Sequence, residues 1–104
     1  MAVFAVITEK GPNWDDGRQI RDQQAWLDHA DFADELVERG IIILGGPIRD
    51  GNPNDIGLLV VEARDESELR SIFGDDLWTV SGVFRIKEAW PWTLWLDGRS
   101  KQSE

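Results

Sequence analysis

The sequence contains no cysteine, no tyrosine, and only one histidine and one methionine in 104 residues. Without cysteine there can be no disulfide, no thiolate nucleophile and no Cys-ligated metal centre. One histidine leaves zinc short of ligands, and no His-Glu-x-x-His or comparable cluster supplies the rest. A Gly-x-Ser-x-Gly nucleophile elbow, a Gly-x-Gly-x-x-Gly turn and a phosphate loop are all missing. Positive charge is scarce as well: 11 Lys and Arg stand against 20 Asp and Glu, a net charge of −9. Nothing here would neutralise a run of phosphates, which argues against nucleic acid and against anionic membrane surfaces. No apolar run approaches the roughly 20 residues that a membrane helix needs. The first residues, MAVFAVITEK, lack the basic region and small-residue cleavage site of a signal peptide. These absences read as a cytoplasmic protein without a bound metal or cofactor.

What is present is enough for one domain with one modest core: hydrophobic residues make up 41% of the chain. A chain of this length buries a limited share of its surface, so association is a natural way to gain stability. Six tryptophans form an unusual aromatic complement, and Trp78, Trp90, Trp92 and Trp95 fall in the last third. They can serve packing and interfaces, or they can line an aromatic pocket.

Hydrophobic periodicity divides the chain into alternating elements. Residues 2–9 are apolar and β-branched and end at the turn signal Gly11-Pro12-Asn13, which predicts a strand. A helix is expected from about Gly17 to Arg39. Ala25, Trp26, His29, Phe32, Ala33, Leu36 and Val37 make its apolar face, with Gly40 at the C-terminal cap. Ile41–Leu44 predicts a second strand, ended by Gly45-Gly46-Pro47. A loop over 50–55 leads to a third strand over 56–63. Asp65 and Glu68 have the spacing of a capping box, which predicts a short helix carrying Leu69, Ile72 and Phe73 inward and stopping near Gly74. Residues 75–81 read as irregular or a single turn, and Val83 to about Pro91 as the last strand. Residues 1–96 are expected to form the domain and 97–104 a polar, disordered tail.

The order βαββαβ predicts a ferredoxin-like α+β fold, an antiparallel four-stranded sheet with both helices on one face. The strands carry a second message. Ile41-Ile42-Ile43-Leu44 and Leu58-Leu59-Val60-Val61 are apolar at every position, although successive side chains point to opposite faces. Two helices cover only one face. The other is left as a large apolar patch, which a second copy could cover by twofold packing, giving a homodimer through the sheet face. The alternative is that the Trp-rich C-terminal segment folds back over it.

Taken alone, His29 on an apolar helix face is as readily a satisfied core residue as a reactive group. The segments Asp28-His29-Ala30-Asp31-Phe32, Glu38-Arg39-Gly40, Leu44-Gly45-Gly46-Pro47 and Asp76-Leu77-Trp78-Thr79-Val80-Ser81-Gly82-Val83 add a further signal. In their order and spacing they resemble the YCII-related (YciI-like) family. Leu77 stands where that family usually has proline, and the Asp-to-Gly spacing is kept. The resemblance implies a dimeric α+β barrel and a His-Asp pair in a cleft. On this chain the pair is His29 and Asp76, with Asp75 as the alternative.

Such a pair suits general acid/base chemistry: the carboxylate orients the imidazole and stabilises its charged form, and the second ring nitrogen moves the proton. The implied function is a small cofactor-independent enzyme of lyase or isomerase type, with dehydrochlorinases and lactone isomerases as models. Its substrate would be a small aromatic or lactone molecule. Trp26 and Trp78 could stack on it, and Arg49 could hold an anionic group. Two alternatives stand beside this: a non-catalytic ligand-binding or regulatory dimer, and a haem oxygenase with His29 as axial ligand.

Overall fold

The structure, a computed structural model, describes residues 1–48 and 53–99. Four strands, β1 (Ala2–Lys10), β2 (Ile42–Pro47), β3 (Asp55–Ala63) and β4 (Phe84–Pro91), form one antiparallel sheet in the order β2-β3-β1-β4. Helices α1 (Trp26–Glu38) and α2 (Glu66–Phe73) and the single-turn α3 (Leu77–Val80) complete the βαββαβ pattern. The fold is the ferredoxin-like α+β arrangement that the element order predicts. Among the described residues no helix is long and apolar enough to cross a membrane.

Alternation along β1 sorts the core. Phe4, Val6 and Thr8 are buried on the helix-covered face, opposite Val61, Leu59 and Gly57 of β3. Leu36 from α1 and Leu69 and Phe73 from α2 close over this face. A second, smaller cluster of Trp78, Val83 and Phe84 sits beside it, flanked by Trp14, Ala25, Trp26 and Ile56. The partner helices are fastened by their caps. Gly40, at φ 75°, lets Ile41 N–H reach the Leu36 carbonyl and its own N–H reach Val37, the Schellman arrangement. Asp65 caps α2 by accepting the Glu68 N–H at 2.8 Å. The Glu68 carboxylate reaches one residue further back than a capping box requires, to Arg64 N–H at 2.8 Å.

Three expectations are corrected. The helix begins at Trp26 and not near Gly17; residues before it form a loop with a 3-10 turn at Ile20–Asp22. The cause is local. Gln23, almost fully buried, donates to the carbonyls of Asp15 and Arg18 and accepts from Asp15 N–H, and Ala25 stands in the left-handed region at φ 59°. Neither is compatible with a continuous helix. Val37 is exposed and lies off the apolar face. The Gly45-Gly46-Pro47 stretch does not end β2: pairing continues to Pro47 opposite Gly57. As β2 is an edge strand, the missing proline N–H interrupts no ladder on its free side.

The face away from the helices is apolar too. Leu44, Leu58 and Trp90 are exposed there. The chain's own end runs beside it as a strap: Trp92 N–H bonds to the Val3 carbonyl, and Trp92, Leu94 and residues 96–99 border a pocket shared with Leu44 and Val60. Asp97 and Arg99, from the segment expected to be a disordered tail, pair at 2.6 Å within this strap. Residues 100–104 lie outside the described residues.

The loop after β1 meets the start of β4 by close backbone approach. Gly11 N–H donates to Val83, and Asn13 N–H to Gly82, which itself has φ 76°. A Cβ on Gly11 would drive into the Gly82 carbonyl oxygen. Gly11→Ala is therefore expected to lower stability by about 2–4 kcal/mol in chemical denaturation, because backbone stands on both sides of the clash and neither can yield.

Candidate functional site

The two apolar clusters do not fuse. Between them a cavity of about 190 Å³ opens, lined by Phe32, Leu59 and Phe73 on one side and by Trp26, Trp78 and Phe84 on the other. Its wall is almost wholly apolar. His29, Thr8 and Asp76 bring the polar side chains to it.

His29 lies in the first turn of α1, with its N–H bonded to the Ala25 carbonyl at 3.0 Å. The left-handed Ala25 thus sets where the helix starts and which way its first turn faces. Asp76 is the N-cap of α3. One carboxylate oxygen accepts the Trp78 N–H at 2.9 Å, and the other lies 2.7 Å from His29 Nδ1. Asp76 is 1% exposed and the His29 side chain 16%, so the bond is shielded while the ring still reaches the cavity. Asp76, not its neighbour Asp75, holds the imidazole.

The rest of the setting is aromatic. The imidazole stacks on the Trp78 ring, 3.8 Å between centroids and 4° between planes. Phe84 meets it edge-on at 5.0 Å, and Trp26 is tilted against it at 5.8 Å. Trp78 is fully buried, and its indole N–H donates to the Gln24 carbonyl at 2.6 Å. That bond ties α3 to the residue just before the turn at Ala25.

The site residues expected from the sequence therefore divide. His29, Asp76, Trp26 and Trp78 converge on one cavity. Trp26 is half-buried and can present a ring to a ligand, whereas Trp78 has one face occupied by His29 and no exposed surface. Arg49 lies outside the described residues. Sequence reasoning missed Phe84, Gln23, Thr8 and Trp14, whose ring meets Trp78 edge-on at 6.0 Å. Gln23 carries no signal, because its partners are loop backbone groups five to eight residues away. Thr8 had one: it is a polar residue in register with Phe4 and Val6 on an inward strand face.

A family model for the YCII-related domain matches residues 3–93. The chain belongs to the YCII-related family. Among solved structures it is similar to 5-chloro-2-hydroxyhydroquinone dehydrochlorinase (TftG) from Burkholderia phenoliruptrix AC1100, in complex with 2,5-dihydroxybenzoquinone. The two share 19% sequence identity with a TM-score of 0.59, over 93% of this chain and 96% of that one. That likeness is one of fold. No curated protein matches the sequence.

The stack on Trp78 makes a spectroscopic prediction for this YCII-related chain. His29 is the only histidine, so its ring protons are directly identifiable by NMR. They should resonate upfield of a free imidazole through the indole ring current. Trp78→Ala should abolish that displacement and cost about 3–5 kcal/mol of stability. Ring protons at ordinary positions in the wild type would contradict the stack.

Proposed function

We propose that the protein is a small cofactor-independent enzyme of lyase or isomerase type, in which His29 and Asp76 carry out general acid/base chemistry on a small planar molecule held in the apolar cavity. The observation that carries this reading is the 2.7 Å contact between His29 Nδ1 and a buried carboxylate at the cavity wall. An ionised carboxylate only accepts hydrogen bonds, so Nδ1 carries a proton, and in the neutral ring Nε2 keeps its lone pair. Nε2 can take a proton from a carbon next to a carbonyl or from a ring hydroxyl. As the ring becomes cationic, Asp76 stabilises it through the hydrogen bond and the Trp78 face through its π-system. In an elimination the electron pair of the broken C–H or O–H bond expels the leaving group with its bonding electrons. In an isomerisation Nε2–H returns the proton to another carbon. The apolar wall strengthens each of these interactions by excluding water.

The fold likeness to a dehydrochlorinase supports this class, and the size of the cavity and its aromatic lining agree with a single ring. The same reading makes the working form a homodimer. Leu44, Leu58 and Trp90 leave apolar area on the sheet face that the C-terminal strap does not cover, and a second copy is the simplest cover for it.

Turnover tests the chemistry. Purified protein should convert a chlorinated hydroxyhydroquinone or an unsaturated lactone, and His29→Gln should lower kcat by about 10²- to 10⁴-fold. Asp76→Asn should lower it severely too, because a neutral amide neither selects the same tautomer nor balances the imidazolium. Full activity in either variant, or no turnover of either substrate class, would refute the enzymatic reading. Light scattering tests the assembly: the wild type should have twice the chain mass, and Leu58→Asp should reduce it to a single chain. A monomeric wild type would contradict the dimer.

A further inference from the structure

Thr8 sits on the central strand, on the face turned to the helices, and is only 3% exposed. Among the described residues its hydroxyl makes one hydrogen bond, to the Gly57 carbonyl at 3.5 Å. Hydroxyl bonds of ordinary strength are near 2.7–2.8 Å, so this one is barely made. A buried hydroxyl in that condition costs stability, and valine would fit a strand position of the same shape without it.

The residue borders the cavity. Thr8 lines it together with Gly57, its cross-strand neighbour, and Gly46. Gly57 offers no side chain to cover Thr8, and a Cβ there would press on the Gly46 carbonyl at 3.0 Å. Irregular pairing brackets the residue: β1 shifts register between Thr8 and Glu9 against β3, and between Ile7 and Thr8 against β4. The extra residues stand on the neighbouring strands, Ile56 on β3 and Lys87 on β4, and bulges of this kind gather next to functional sites. Among the other polar groups of the wall, both Asp76 oxygens, His29 Nδ1 and the Trp78 N–H already have partners.

We infer that Thr8 is a ligand-anchoring residue, its hydroxyl bonding an oxygen of the ring compound that His29 Nε2 engages elsewhere on the same molecule. This rests on the reading of the cavity as a ligand site. It narrows the ligand to a small ring bearing at least two oxygen substituents, since one polar contact would not orient a flat molecule between apolar walls.

The test is calorimetric titration with 2,5-dihydroxybenzoquinone, which carries oxygens on opposite sides of its ring, against wild type, Thr8→Val and Thr8→Ser. Thr8→Val should weaken binding by about tenfold, the size of one lost hydrogen bond, and Thr8→Ser should stay within about twofold of the wild type. Without ligand, Thr8→Val should melt no lower than the wild type, because a poorly bonded hydroxyl has been replaced by an apolar isostere.

Equal affinity of Thr8→Val and wild type, equal losses in both variants, a marked fall in the melting temperature of Thr8→Val, or no saturable binding by the wild type would each overturn the assignment. Repeating the titration in His29→Gln separates the two claims. A Thr8 effect that persists there supports the anchor whatever the fate of the catalytic reading. Turnover that depends on His29 but not on Thr8 leaves the enzyme standing and removes the anchor.

Discussion

The buried carboxylate of Asp76 is the constraint on which the site depends. A charge removed from water is costly, on the order of several kcal/mol, unless it is bonded on all sides. Here one oxygen is bonded by a backbone N–H from the turn it caps, and the other by an imidazole from a distant helix. Neither bond is local to the other's element. The carboxylate therefore joins α1 to α3, 47 positions apart in the chain, and places a titratable ring at the edge of an apolar cavity.

The aromatic cluster makes that junction rigid. Trp78 lies under the imidazole, gives its N–H to the Gln24 carbonyl and is itself flanked by Trp14, Trp26 and Phe84. The left-handed backbone at Ala25 is held between this bond and the Gln23 network. Strain of this kind persists only where neighbours enforce it, and here it turns the first helical turn, with His29, toward the cavity. The six tryptophans thus fall into two groups. Trp14, Trp26 and Trp78 build the site, while Trp90, Trp92 and Trp95 lie on or beyond the last strand and remain substantially exposed.

Much of the fold was legible because strands, caps and turns announce themselves over a few residues. The apolar runs of β1 and β3, the Gly40 cap and the Asp65 cap all depend on neighbours in sequence. What the sequence concealed depends on distant partners. The stretch before Trp26 has helix-compatible residues, and only the fold shows that the Gln23 side chain spends its bonds on the loop. Gly45-Gly46-Pro47 has the composition of a turn, and only its position at the sheet edge lets it pair as strand. The convergence of His29 and Asp76 has no periodic signature at all; it was approachable through family resemblance, whereas the stacking of His29 on Trp78 and the poorly bonded hydroxyl of Thr8 required coordinates.

The most direct test of the central claim is nitrogen NMR of the single histidine, with and without 2,5-dihydroxybenzoquinone. The account predicts a proton fixed on Nδ1 and bonded to Asp76, and an unprotonated Nε2 whose resonance moves when the cavity is filled. A ring that carries its proton on Nε2, or an Nε2 signal indifferent to saturating ligand, would contradict it.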